Sequence, residues 1–239
     1  MINKPLTICI LAAGKGNRMK SPIPKVLHKI NNTPMIHSVL NTAEKQNPDK
    51  IIVIVGFKKD LVIESLKEFN VDFVTQSDQN GTAHAIQQCN MELKNFEGNV
   101  LVLSGDVPFI THDTLQTLVD THNNKNSKAS LLSTYFKNPF GYGRIIRDYK
   151  NNFIKIVEHK DASNEELNIN EINSGTYIFD CQTLFKKINS IKNNNSQNEY
   201  YLTDIFEHLK KEEISIVLTD NNQEIYGINT LDQLKEMEE

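Results

Sequence analysis

The chain has 239 residues, 38% hydrophobic and 23% charged, with 26 Lys and Arg against 30 Asp and Glu for a formal net charge of -4. That length allows one substantial core without disulfide or metal staples, and the composition is far from that of a disordered chain. No global basic field argues for nucleic acid or an anionic membrane surface, and no apolar run nears the roughly 18 residues that a membrane span needs.

Residues 6–11 are a short apolar run ended by glycines, which predicts a buried strand. The run is too short for a secretory leader, and Gly14-Lys15-Gly16-Asn17-Arg18 follows almost at once. Thr33-Pro34 predicts a helix start, with Thr as N-cap and Pro in the first turn. Met35, Ile36, Val39, Leu40 and Ala43 then recur at helical spacing. Residues 51–55 are β-branched throughout, as in a strand covered on both faces. Leu61, Ile63, Leu66 and Phe69 form a helical stripe over 60–69. A strand at 71–75, a helix at 83–89, a strand at 100–103 and a helix opened by Thr111 and Asp113 follow. The second half is richer in strands, at 129–136, 153–157 and 172–179. A helix over 203–211 and closing strands at 214–218 and 224–228 complete the chain. Strand and helix taking turns predicts an α/β fold: a Rossmann-like, mostly parallel but mixed sheet flanked by helices, with antiparallel pairing in the second half.

Cys9, Cys89 and Cys181 are widely spaced and form no CxxC, which excludes a disulfide framework and a cysteine zinc site. The expected compartment is the cytoplasm. Asn, Lys and Ile are abundant, so Asn193-Asn194-Asn195 reads as a solvated loop. The only arginines are Arg18, Arg144 and Arg147, which makes each of them informative.

The segment Leu11-Ala12-Ala13-Gly14-Lys15-Gly16-Asn17-Arg18-Met19, followed by Pro24-Lys25, leaves the first strand at the edge where open α/β sheets bind ligands. Small residues let backbone approach a phosphate, and successive N–H groups can form an anion nest. Lys15, Arg18 and Lys25 add positive charge. It is not a Walker A loop, because Gly16 follows Lys15, nor a dinucleotide fingerprint, because Met19 stands where the third Gly belongs. An ordinary glycine turn would explain the glycines but not the three cations. Asp106 follows Gly105 at the end of the strand over 100–103. A carboxylate there suits Mg²⁺, although it could equally serve a turn or a helix N-cap.

Further blocks follow in order: Gln76 with Gly81-Thr82-Ala83-His84-Ala85, Gly105-Asp106-Val107-Pro108, Gly141-Tyr142-Gly143-Arg144, Val157-Glu158-His159-Lys160-Asp161-Ala162, Glu171-Ile172-Asn173-Ser174-Gly175, Glu199-Tyr200-Tyr201-Leu202-Thr203-Asp204 and Gly227-Ile228-Asn229. Together with the glycine loop they resemble, almost end to end, the sugar-1-phosphate nucleotidyltransferases. The blocks around Glu158 and Asn173 are similar to the uridylyltransferase branch, which forms the N-terminal domain of bifunctional bacterial enzymes. The resemblance implies a fold of the nucleotide-diphospho-sugar transferase type, with a catalytic domain over 1–229 and a C-terminal helix begun in 230–239. It implies Mg²⁺-dependent transfer from UTP to N-acetylglucosamine-1-phosphate, giving UDP-N-acetylglucosamine and pyrophosphate for cell-envelope precursors. Other readings are a relative using glucose-1-phosphate or dTTP, or a non-catalytic nucleotide-sugar-binding protein.

Residue by residue, the resemblance implies that Arg18 and Lys25 act on the phosphates and that Asp106 and Asn229 hold the metal. Asn229 could also cap the helix that begins at Thr230. Leu11, Ala12, Ala13, Gly14, Lys15, Gln76, Gly81 and Thr82 hold the nucleotide. The Gln76 amide offers a donor and an acceptor to uracil, and could rotate to serve cytosine. The helix opened by Thr82 favours an anion at its start. Ser104, Gly105, Gly143, Glu158 and Asn173 hold the sugar, with turn and surface roles as the plainer readings of Gly143 and Glu158. Some relatives have Tyr where this chain has Ser104. His84 falls beside the nucleotide, His159 supports Glu158, and Tyr200-Tyr201 pack near the sugar. Bifunctional members continue into a left-handed β-helix of hexapeptide repeats that carries acetyl transfer and the trimer contact. This sequence has no such repeat, so the expectation is a monomer without acetyl transfer and without membrane or nucleic-acid partners.

Overall fold

The computed structural model describes residues 4–237. The first strand, β1 (Leu6–Ala12), runs through the Gly-rich loop to a two-strand hairpin, β2 (Lys29–Ile30) and β3 (Thr33–Pro34), then to α1 (Met35–Glu44). β4 (Lys50–Val55), α2 (Lys59–Ser65), β5 (Asp72–Thr75), α3 (Thr82–Gln87), α4 (Asn90–Leu93), β6 (Asn99–Ser104) and α5 (His112–Asn124) follow. The second half holds β7 (Ala129–Tyr135), β8 (Arg144–Arg147), β9 (Phe153–Val157), α6 (Asn164–Leu167), β10 (Glu171–Asp180), α7 (Cys181–Ile188), β11 (Ile214–Leu218) and α8 (Leu231–Glu236).

The strands join in the order β11-β7-β10-β6-β1-β4-β5, with β8 and β9 attached beside β10. β1 pairs in parallel with β4 and β6, and β4 with β5. β10 runs antiparallel to both β6 and β7, so the sheet is mixed as expected. Its parallel strands are apolar on both faces because helices cover both. Ile8, Ile10 and Val53 join Val39 and Leu40 of α1 and Leu118 of α5 on one side. Cys9, Ile52 and Ile54 join Ile86 of α3 and Leu184 of α7 on the other. Each fully buried side chain of this kind contributes about 1.5–3 kcal/mol by leaving water. The connection after β1 goes to one side of the sheet and the later return to β6 lies on the other. The Gly-rich loop therefore sits where the winding reverses, and crevices open there.

Four predicted elements are corrected. Thr33-Pro34 does not start a helix but forms β3. Asn31 and Asn32 both have positive φ (49° and 65°) and turn the chain into a hairpin first. The helix over 60–69 is shorter and faces inward through Val62 and Leu66, while Leu61 is exposed. Residues Leu202–His208 form a 3₁₀ segment in place of an α-helix over 203–211. Its tighter winding sets Leu202 and Ile205 on one face, and both are buried. The segment 224–228 is not a strand. Its backbone bonds go to loops and side chains, with Gly227 N–H donating to the Tyr142 hydroxyl and Ile228 N–H to the Asp106 carbonyl. Asparagine is also more structural than its abundance suggests: six of the eight non-glycine residues with positive φ among the described residues are Asn. Asn195 in particular clasps the Glu199 backbone through both ends of its amide.

Candidate active site

Three parallel strands end at one wall. β1 runs into the Gly-rich loop, β5 into Gln76 and β6 into Gly105-Asp106. All eight residues expected at the nucleotide line a single cavity of ≈ 470 Å³, together with Lys25, Ser104 and Asp106. Gly16 has φ 61°, and a Cβ there would stand 2.7 Å from the Lys25 Cβ, so glycine is what lets Lys25 pack under the loop. At Gly14 no protein atom lies within 4 Å of an added Cβ. Among the described residues no hydrogen bond uses the N–H of Gly14, Lys15 or Gly16, which leaves these donors to a ligand in the cavity.

Lys25 Nζ contacts Asp106 Oδ2 and lies 2.9 Å from Asn229 Oδ1. Arg18 Nη2 donates to the same Asn229 oxygen at 2.7 Å. The Asn229 amide cannot turn freely, because its Nδ2 donates to the Gly227 carbonyl at 3.0 Å. The cap of α8 is Thr230, in a capping box with Gln233, so the side chain of Asn229 is left to the site. Asp106 likewise caps no helix. Its carbonyl accepts from Ile228 N–H at 3.0 Å, which ties the two loops together. Two hard oxygens thus converge on one ammonium. That donor pair fits Mg²⁺, which takes one or two protein oxygens and fills its octahedron with water and phosphate. No group of three or more His, Cys, Asp or Glu side chains is placed for a metal among the described residues.

A second cavity of ≈ 200 Å³ shares Leu11, Thr82 and Ser104 with the first and is lined by Gly143, Glu158 and Asn173. Glu158 follows the end of β9, and its Oε1 accepts from the Thr203 hydroxyl at 3.1 Å. Burial raises its pKa, Thr203 opposes the shift, and Asp161 and Glu199 add to it. It is half-buried in the cavity wall. Asn173 lies where β10 bulges between Asn173 and Tyr177, with Gly175 at φ 79°. Its backbone N–H donates to the Gly143 carbonyl at 2.9 Å, and its Nδ2 to the Tyr177 hydroxyl at 2.7 Å. Behind this wall lies a third hollow, of ≈ 280 Å³, which shares Glu158 and is lined by Asp161, Asp204 and Glu207. Burial first, and then Glu207, Glu158 and Asp161, push the pKa of Asp204 up to about 6.

Several expected placements differ. Gly105 reaches neither cavity lining; its N–H is spent on the Leu11 carbonyl, holding β6 to β1. At the start of α3 the Ala83 N–H is bonded to the Tyr200 carbonyl, while no hydrogen bond among the described residues uses the N–H of Thr82, the residue that lines both cavities. His159 packs edge-on against Phe140, and its Nδ1 is buried without a partner rather than bonded to Glu158. Arg18 is exposed and joins through Asn229, outside the cavity lining. Sequence reasoning missed Tyr177 and Thr203 as site residues. Tyr177 stands four positions after Asn173, a same-face spacing in a strand that could have revealed it. Thr203 lay inside a block whose two tyrosines drew attention instead.

A mixed α/β sheet carries a glycine loop, three cations and a convergent oxygen pair at its carboxyl edge, the arrangement expected of a nucleotide-phosphate site. The chain belongs to the family of MobA-like NTP transferase domains, which it matches over residues 8–149. Among individual proteins, it is 45% identical over 231 residues to the bifunctional protein GlmU of Clostridium novyi (strain NT). The match covers 96% of this chain and 51% of that protein. It is 44% identical over 223 residues to GlmU of Streptococcus uberis, covering 92% of this chain and 48% of that protein. The chain thus spans about half the length of the curated relatives it matches. The fold is shared with a Bacillus anthracis protein assigned as a glucose-1-phosphate thymidylyltransferase and solved with sucrose. The TM-score is 0.77 at 22% identity, over 98% of this chain and 94% of that one. No helix among the described residues is long and apolar enough to cross a membrane.

Proposed function

We propose that the chain is a uridylyltransferase that joins UTP and N-acetylglucosamine-1-phosphate into UDP-N-acetylglucosamine and pyrophosphate, in the cytoplasm, for cell-envelope precursor synthesis. The observation that carries the reading is the Lys25–Asp106–Asn229–Arg18 cluster, which meets the larger cavity through Lys25 and Asp106, next to a smaller cavity that shares three of its lining residues. One cavity offers backbone donors and cations, and the other a carboxylate and an amide. The likeness to GlmU over 96% of the chain favours this pair of substrates over glucose-1-phosphate or dTTP.

In this reading the sugar phosphate, held by Glu158, Asn173 and Gly143, attacks the α-phosphorus of UTP. A phosphate-oxygen bond forms to that phosphorus, and its bond to the β-phosphate oxygen breaks. The attacking phosphate is already ionised, so no general base is required, and the chain's task is positioning and charge compensation. Lys25 compensates charge at the α-phosphate, and Arg18 and Lys15 hold the departing pyrophosphate. Asp106 and Asn229 would hold Mg²⁺, which supplies charge neutralisation between the two phosphates. Gln76 and Gly81 read the base. A binding protein without catalysis would have no use for cations at the pyrophosphate end.

Pyrophosphate release, measured with a panel of nucleoside triphosphates and sugar-1-phosphates with and without chelator, tests the proposal. The expected result is turnover with UTP and N-acetylglucosamine-1-phosphate that the chelator abolishes. Turnover with another pair, or tight binding without turnover, overturns it.

A further inference from the structure

We propose that His84 is a positioning residue that decides which pyrimidine the cleft admits; the inference rests on the reading of the ≈ 470 Å³ cavity as the nucleotide site. Gln76 is 3% exposed and lies on the wall of that cavity. Its Nε2 is 3.0 Å from the Gly81 carbonyl oxygen and 3.1 Å from His84 Nδ1. A carbonyl oxygen only accepts, so the NH₂ edge of the amide must face Gly81. Turning the amide would set two acceptors against each other and strand a buried NH₂. Gly81 itself cannot give way. Its φ is 112°, and Tyr200 backbone atoms stand 2.5 and 2.6 Å from where a Cβ would be. Tyr200 also bonds the backbone on either side, at Asn80 and Ala83.

The second proton of the Gln76 amide goes to His84 Nδ1, which must then carry a lone pair, with the ring proton on Nε2. The Gln88 amide lies 3.2 Å from that Nε2. One neutral ring cannot accept from two NH₂ groups. The Gln88 NH₂ also donates to the His84 backbone carbonyl at 3.0 Å, but Gln88 is half-buried, so water can replace that bond when its oxygen turns to Nε2–H; the buried Gln76 has no such replacement for its bond to Gly81. Both Gln76 protons are therefore committed, and only Oε1 is left for a base. Uracil and thymine present an N3–H donor to such an acceptor; cytosine presents a lone pair. The rotation that would let a glutamine serve either base is blocked, with Gly81 as one latch and His84 as the other. His84 does not itself line the cavity, so it acts through Gln76.

The test is calorimetric binding of UTP, dTTP and CTP, without sugar phosphate, to the full chain and to His84→Leu and His84→Asn. Asn places an oxygen acceptor near the position of Nδ1 and should keep the latch. The unaltered protein should prefer UTP and dTTP to CTP. In His84→Leu the UTP-to-CTP affinity ratio should fall about tenfold, with CTP gaining, and in His84→Asn it should stay close to the original. Equal weakening of all three nucleotides in His84→Leu would reduce His84 to a packing role and overturn the inference, as would equal loss of the ratio in both variants. If His84→Leu does not fold, imidazole ¹⁵N shifts of the unaltered protein decide, and a proton on Nδ1 overturns it. Discrimination that no variant moves sinks this inference alone, while an unaltered protein preferring CTP or a purine sinks the uridylyl reading with it.

Discussion

β1, β5 and β6 hand the cleft glycine backbone, the cations of the loop after β1, one carboxylate and one latched amide, all at strand ends. β9 and β10 hand it a carboxylate with a raised pKa, an amide and a phenol, held by a bulge and by a 3₁₀ segment from far along the chain. The difference teaches how the labour divides. In the proposed reading a triphosphate is met by fixed charge and N–H groups, which work at a strand edge with little shaping. In the same reading a sugar is met by directional hydrogen bonds, which need a shaped wall and buried partners.

The comparison can be broken most sharply at the foot of the parallel half. Asp106→Ala should lower turnover about a thousandfold or more while the thermal midpoint stays near that of the unaltered protein. Activity surviving at saturating Mg²⁺ would remove Asp106 from the charge-compensating set. Lys25→Ala should follow with about a hundredfold loss in kcat. Arg18→Lys should be milder, about tenfold, because charge is kept and the planar fork lost; steady-state kinetics with pyrophosphate detection reads both. On the antiparallel side, Glu158→Ala should weaken N-acetylglucosamine-1-phosphate use by about 1–3 kcal/mol and leave UTP binding without sugar unchanged. An equal loss for UTP by calorimetry would erase the division between the two halves.

The smallest expected effect concerns stability. The pKa of Asp204 is raised from 3.8 to about 6 in the folded chain, by burial and then by Glu207, Glu158 and Asp161. The folded state therefore holds the proton more tightly than the unfolded one. The benefit is complete below the unfolded pKa and is lost as pH rises through about 6. Asp204→Asn should raise the thermal midpoint at pH 8 by a few degrees, about 1 kcal/mol once solvent screening is allowed for. It should do nothing at pH 3.5. Equal melting shifts at both pH values would exclude this origin.

The two halves also differ in how much of them could be read from sequence. Around β1, β4 and β6 the apolar runs are contiguous and most site residues follow a strand end closely, so strands and loop were legible, and with them much of the cavity lining, though not Gln79 and Glu199. The sugar-side wall was legible only through its resemblance to a family, at Gly143, Glu158 and Asn173. Its geometry depends on the bulge at Gly175 and on contacts such as Thr203 with Glu158, 45 positions apart, which no local period encodes. The hairpin at β2 and β3 misled for a similar reason: Thr-Pro suits a helix start, and only the left-handed pair Asn31-Asn32 before it sends the chain the other way.

The bond from Ile228 N–H to the Asp106 carbonyl, and that from Arg18 to Asn229 across 211 positions, also bear on timing. A growing chain emerging from the ribosome can complete the β1-to-β6 sheet, glycine loop included, more than a hundred residues before Asn229 is made. Until then Asp106 and Lys25 face each other without their amide partner. This end of the cleft is thus assembled early and completed only when the loop over 227–229 arrives.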